Sequence, residues 1–229
     1  MKPLFFVCFL VIAILPAKSQ NTTRITVKAD SSLSKFLTFK ERYSYPTFIN
    51  GTVFFKDGAA YNAVLNYNLF TGQMQFINSR GDTLELANEN TIKVVAITRD
   101  SFYYDKGYYR LLLGYPEVKL AVQQRLTIVD NQKIGAFGQP TTGAGVETVD
   151  RIVQTNKLTI MENTILAKES KYYLGNKFNQ FVPFNKKGLM KMFSNHQNNI
   201  RKYLDETSID FNKQQDLIRT LGFLQNLST

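Results

Sequence analysis

A chain of 229 residues, 44% of them apolar, can bury one hydrophobic core of ordinary size, so one domain with at most a small appendage is expected. One histidine and one cysteine leave too few ligands for a zinc site of the usual kind, and no cofactor motif is present, so neither metal nor cofactor is expected. Against 18 acidic residues stand 28 lysines and arginines, a formal charge of +10. Such a balance suits contact with anionic lipid or glycan surfaces, although acidic residues lie among the basic ones and a solvated surface accounts for most of them.

Met1-Lys2-Pro3 supplies a short positive start, and Leu4 through Leu15 is an unbroken apolar run of twelve residues ending before Pro16. Ala17-Lys18-Ser19 has the small-x-small pattern of a signal-peptidase site, which predicts residues 1–19 as a signal peptide cleaved after Ser19. A membrane-spanning helix needs about 20 apolar residues, so the run is too short for a permanent anchor and an integral helical membrane protein is not expected. Cys8 lies inside the run rather than at the cleavage boundary, which argues against a lipid-anchored cysteine. The mature chain is expected in the periplasm, at the outer membrane or outside the cell. It would have 210 residues, no cysteine and 26 basic against 18 acidic residues, or +8, so its stability must come from burial rather than disulfides.

Residues 20–183 read as a β-rich domain. Lys56-Asp57-Gly58, Thr71-Gly72, Arg80-Gly81-Asp82 and Asp105-Lys106-Gly107 each place glycine where a tight turn needs positive φ. Between them the predicted strands are Thr52 to Phe55, Tyr61 to Tyr67, Gln73 to Ile77, Thr83 to Leu86, Ile92 to Thr98 and Tyr108 to Leu113. Met74 with Phe76, and Leu84 with Leu86, alternate as a sheet with one wet face requires. A long run, Val118 to Val129, is expected to end as a strand at Asp130-Asn131. Residues 130–150, with Gly135, Gly138, Pro140, Gly143 and Gly145, then read as a loop. Strand character returns over Leu158 to Ala167, Lys171 to Leu174 and Phe178 to Val182.

Residues 184–229 change period. Leu189, Met192 and Phe193, then Ile200, Tyr203 and Leu204, then Leu217, Leu221 and Leu224 recur at spacings of three and four, which predicts two or three amphipathic helices packed on or beside the sheet. Ser194-Asn195-His196-Gln197 and Asn212-Lys213-Gln214-Gln215 are the expected capping boxes of the second and third. The predicted class is α+β: mainly antiparallel β, as a sandwich or barrel-like sheet, followed by C-terminal helices. That helical ending, in place of an amphipathic strand with a terminal aromatic, also disfavours an outer-membrane barrel.

Two stretches carry a resemblance. Phe54 to Ile97, with Leu65-Asn66-Tyr67-Asn68 and Thr71-Gly72-Gln73-Met74-Gln75-Phe76, is one. The tail from Phe181-Val182-Pro183-Phe184 through Lys186-Lys187, Tyr203-Leu204 and Asp216-Leu217-Ile218 is the other. Both resemble modules of uncharacterised exported proteins of the Bacteroidota. The resemblance implies an envelope or secreted location and brings no activity with it.

Candidate chemistry is sparse. His196, among Asn195, Gln197 and Asn198, reads as a solvated helix end with no triad around it. Ser32-Leu33-Ser34-Lys35 matches S-x-x-K without its partner motifs. Gly138 and Gly143 have phosphate-loop spacing but are followed by Ala144 and Gly145 rather than lysine and a hydroxyl residue. Arg80-Gly81-Asp82 is best explained as turn chemistry. An exported carboxylate-dependent hydrolase acting on polysaccharide would need a pair such as Asp100 with Asp105, or Glu147 with Asp150. The cluster Phe102, Tyr103, Tyr104, Tyr108, Tyr109 and Tyr115 is the oddest compositional feature. If its tyrosines shared one hairpin face they would form an amphipathic binding platform, whereas cross-strand packing is the structural alternative. The residues alone therefore point to a non-enzymatic exported envelope protein that binds or interacts. Its candidate binding residues are Tyr103, Tyr104, Tyr108, Tyr109 and Tyr115. Its partner would be an envelope protein or an anionic glycan or lipid surface, with no nucleic acid.

Overall fold

A computed structural model describes residues 24–27, 37–134, 140–142 and 163–227. It is an α+β fold built on one antiparallel sheet of 12 strands, with helices concentrated at the C-terminal end. In chain order the strands are β1 Arg24–Val27, β2 Ile49–Phe55, β3 Ala60–Asn68, β4 Gln73–Ile77, β5 Thr83–Glu85, β6 Ile92–Ile97, β7 Asp100–Tyr104, β8 Tyr108–Gly114, β9 Val118–Ile134, β10 Pro140–Thr142, β11 Asn163–Asn176 and β12 Phe181–Pro183. The helices are α1 Phe39–Arg42, α2 Lys186–Met192, α3 Gln197–Glu206 and α4 Gln214–Leu227.

Two hairpin meanders make the sheet. One runs β2-β3-β4-β5 and the other β6-β7-β8-β9; β6 returns to pair with β2, joining them into the order β1-β11-β9-β8-β7-β6-β2-β3-β4-β5. Register slips at Phe54/Phe55, Leu111/Leu113 and Ile165/Leu166 bend the strands that carry them. The sheet therefore curls until the far half of β9 reaches the β3–β4 turn, where the Leu126 N–H donates to the Leu69 carbonyl at 2.8 Å and Arg125 Nη2 donates to the Thr71 carbonyl at 3.1 Å. Gly72 turns there with φ +72°, and a Cβ on it would meet the Arg125 guanidinium at 2.8 Å. The predicted glycine thus serves both turn and closure.

β9 and β11 are long enough to serve two cores with one face. Leu126, Ile128 and Leu166 join Leu65, Tyr67, Met74, Val95, Ile97, Phe102 and Tyr108 inside the curl. Farther along the same strands, Val118, Leu120 and Leu174 face the helices and pack with Leu189, Phe193, Ile200, Leu217, Leu221 and Leu224. The predicted apolar stripes of the tail are the faces that this second core buries. α2 sits so close to β12 that a Cβ on Gly188 would lie 2.0 Å from the Pro183 carbonyl oxygen.

Several boundaries differ from expectation. β9 does not stop at Asp130-Asn131; both pair with Ile165 and Thr164 of β11, and β10 pairs back on Gln132–Ile134. Pairing with β11 through this point, and with β10 just beyond it, outweighs the weak β preference of Asp and Asn. The capping boxes expected at Ser194 and Asn212 are not what starts α3 and α4. Ser194–His196 is a 3-10 turn without a side-chain cap, and Gln197 instead donates to the Met190 carbonyl of α2. Ahead of α4 the Asp210 N–H donates to the Asp216 carboxylate. Helix capping is strongest where the sequence did not draw attention: Thr38 and Glu41 form a reciprocal capping box on α1, and Asn185 accepts from Gly188 N–H on α2. No helix among the described residues is long and apolar enough to cross a membrane.

Candidate functional site

Between the two cores the shared sheet face turns polar. Along it β8 contributes Arg110, β9 contributes Val122 and Gln124, and β11 contributes Lys168 and Ser170, with Arg110 opposite Val122 and Gln124 opposite Ser170. Side chains two apart in a strand share a face, so this strip interrupts the apolar sequence Val118, Leu120 … Leu126, Ile128. Above it opens a cavity of about 130 Å³ lined by Ser44, Tyr45, Tyr67, Asp100, Phe102, Tyr108, Arg110, Val122 and Gln124.

Its organising group is Asp100 at the start of β7. One carboxylate oxygen accepts from the Tyr45 hydroxyl at 2.5 Å and the other accepts from Arg110 Nη1 at 3.1 Å. Burial, reinforced by the hydrogen bond to Asp100 and by its charge, pushes the Tyr45 phenol well above its ordinary value of 10.0 despite the opposing charge of Arg110. Tyr45 is therefore a fixed donor rather than a base at any physiological pH. Lys168 is held below its ordinary value by partial burial of its ammonium and by the charge of Arg110. Gln124 Nε2 donates to Ser170 Oγ at 3.0 Å, so its amide is oriented as well.

Tyr45 reaches Asp100 because Asn66 holds its backbone. Asn66 lies on β3 with no exposed surface; its Oδ1 accepts from Tyr45 N–H, and its Nδ2 donates to the carbonyls of Tyr45 and Thr47. Two residues on, the buried Asn68 accepts from the N–H groups of Phe70 and Thr71 and shapes the next turn. β3 is thus covered on both faces, by the curled core on one and by the α1 connection on the other. The hairpin that starts β7 contains Thr98 at φ +53°, a region β-branched residues rarely occupy. Its hydroxyl donates back to the Ile97 carbonyl.

The predicted tyrosines fall in three places. Tyr103 pairs across the hairpin with Tyr109, and Tyr104 with Tyr108, so the four alternate between the two sheet faces and form no single platform. Tyr108 is buried in the curl, packs on Tyr104 and Tyr67, and lines the cavity; its hydroxyl has no hydrogen-bond partner among the described residues. Tyr109 stacks on Phe181 at 4.6 Å and meets Tyr173 at 4.6 Å on the opposite face, with Tyr103 beside them. The Asp105 carboxylate at the hairpin tip accepts from Phe181 N–H, tying this aromatic group to β12. Tyr115 is exposed in the β8–β9 turn. Cross-strand aromatic packing thus accounts for four of the five.

Asp100 and Asp105 sit at opposite ends of β7. Five residues of strand separate them by about 17 Å, beyond the reach of a paired-carboxylate mechanism, and their side chains alternate between faces. Glu147, Asp150, Ser32–Lys35, Gly138 and Gly143 lie outside the described residues. Arg80-Gly81-Asp82 is a turn organised by Asn78, whose side-chain oxygen accepts from Arg80 and Asp82 N–H and whose amide donates to Asp82. His196 is exposed at the start of α3. No family model, curated protein or solved structure matches this chain. The cavity was not legible in the sequence because the residues that organise it, Tyr45, Asp100 and Arg110, come from a loop and two strands. The one available signal was the Asn66/Asn68 pair at the apolar end of β3.

Proposed function

We propose that this chain is an exported, non-enzymatic protein of the cell envelope that binds a small organic anion in the Tyr45–Asp100–Arg110 cavity. The observation that carries the reading is the state of Arg110. One guanidinium nitrogen holds Asp100, and its other donors have no acceptor among the described residues, while Lys168, outside the cavity lining, is near enough to feel the Arg110 charge. Two cations against one carboxylate favour a carboxylate or similar group, which a guanidinium meets with two parallel hydrogen bonds. Ser44 and Gln124 are placed to read neighbouring hydroxyls.

A binding role suits this site better than hydrolysis. Asp100 is the single carboxylate among the described lining residues, and it is already engaged by both Tyr45 and Arg110. Export rests on the Leu4–Leu15 run and the Ala17-Lys18-Ser19 site, with cleavage after Ser19 and a destination in the periplasm, at the outer membrane or outside the cell. The likeness to uncharacterised exported Bacteroidota proteins supports the same location. Its macromolecular partner would be an envelope protein or an anionic glycan or lipid surface.

Thermal unfolding in the presence of a panel of small carboxylic and sugar acids tests the binding claim. At least one acid should raise the midpoint for the parent and leave Arg110→Leu unmoved. A panel without effect, or an equal response from Arg110→Leu, would remove this reading. N-terminal sequencing of the native protein should begin at Gln20; an intact Met1 would remove the export claim.

A further inference from the structure

Basic residues are not evenly spread over this protein. From Lys171 to Lys202 the chain carries seven lysines and arginines and no acidic residue. Lys171, Lys177 and Lys202 have partners in Glu169, Glu117 and Glu206. Lys186, Lys187, Lys191 and Arg201 are exposed and make no ion pair among the described residues. On α2, Gly188 and Leu189 face the helix-side core, which leaves the lysines at 186, 187 and 191 on the outward side.

The same segment carries the most exposed large apolar side chain among the described residues. Phe178, 72% exposed, lies in the β11–β12 turn with the Lys177 ammonium 5.6 Å from its ring. In the neighbouring β8–β9 turn Tyr115 is 37% exposed, and the Lys177–Glu117 ion pair at 3.0 Å links the two turns. α2 begins eight residues after Phe178, so even a fully extended chain keeps the two within about 28 Å. Lysines that stay in the headgroup layer while an aromatic tip enters the acyl boundary are the chemistry of peripheral attachment to an anionic bilayer. A soluble polyanion would satisfy the lysines and give Phe178 nothing to enter.

We propose that α2 and the Phe178 turn dock this protein on an anionic lipid surface. The site is separate from the Arg110 cavity; it relies on the export reading only for where such a surface is met. The chain contains no tryptophan, so Phe178→Trp supplies a single fluorescent reporter, and Tyr61→Trp, at a position 65% exposed on β3, supplies the control. With phosphatidylcholine vesicles containing phosphatidylglycerol, emission of Phe178→Trp should move to shorter wavelength, and pure phosphatidylcholine should leave it in place. Tyr61→Trp should respond to neither. The combined Lys186→Gln, Lys187→Gln and Lys191→Gln variant should partition about a hundredfold more weakly, at about fivefold per charge, with circular dichroism and unfolding midpoint like the parent. Arg110→Leu should bind vesicles normally, so loss of acid binding and loss of lipid binding are read separately. Absence of a Phe178→Trp shift, an equal shift from Tyr61→Trp, full binding by the folded triple variant, or retention on a soluble anionic polysaccharide with no uptake by vesicles would each overturn the proposal.

Discussion

The two ends of the β9–β11 face bury apolar surface in different ways. Inside the curl, strands supply both walls of the core, aromatics such as Tyr67, Phe102 and Tyr108 fill its middle, and buried asparagines fix the connections around it. At the other end the sheet supplies a few positions, and α2, α3 and α4 close over them with Leu189, Ile200, Leu217, Leu221 and Leu224. One end depends on partners far apart in the chain and the other on a local helical cluster laid over two long strands. Since the same strands cross both, neither end should be able to open fully without disturbing its neighbour. The polar strip with Arg110 lies where neither mode of burial applies.

The comparison is broken most severely by emptying each core in turn. Leu65→Ala in the curl and Leu217→Ala in α4 remove side chains with no exposed surface, and each should cost about 3 kcal/mol, measured by denaturant unfolding. If the ends are coupled as the continuous strands imply, far-ultraviolet and tyrosine signals of both variants will report one transition. Loss of helix signal in Leu217→Ala with the sheet signal intact would show that the ends unfold separately.

Asn66→Ala acts on the curled end alone. It removes three hydrogen bonds from a buried position and leaves the Tyr45 segment unheld, at a cost of about 2 kcal/mol. The acid-induced rise in midpoint should vanish with it, while vesicle binding should persist.

Alkaline pH is the next probe. Burial, the largest cause in each case, raises the phenols of Tyr108 and Tyr109 above their ordinary 10.0, so the folded state keeps these protons where the unfolded chain has released them. Their contribution is intact below pH 10 and declines above it, by about 1.4 kcal/mol per pH unit for each fully shielded phenol. Unfolding followed at rising pH should show that decline, and Tyr109→Phe should flatten it. Stability unchanged from pH 9 to 11 would mean the phenols are hydrated.

The smallest expected effect is a gain. Thr98→Gly relieves the positive φ ahead of Asp100 and should stabilise the protein by about 1 kcal/mol. If the strained turn also aims Asp100, the variant will bind acid more weakly even as its midpoint rises.

Much of the β scaffold was legible locally. β4 occupies the predicted Gln73 to Ile77, because alternating apolar residues between two glycine-bearing turns admit one register. The helical tail was equally plain, since its leucines recur at the period that a buried stripe demands. Harder to see was β7, whose Asp100 and Ser101 are weak strand formers held in place by pairing with β6. The tyrosines were noticed for their number, yet pairing put Tyr103 and Tyr104 on opposite faces, and Tyr115 alone stayed in solvent.

Composition, turn residues and apolar period by themselves determined that this chain makes an antiparallel sheet followed by amphipathic helices, because those are short-range preferences read within a few residues. Only the tertiary structure decided that the sheet curls, that β9 and β11 carry two cores, and that Tyr45, Asp100 and Arg110 meet. Such meetings depend on pairings between segments as much as 55 residues apart, and no local pattern in the chain encodes the distance between them.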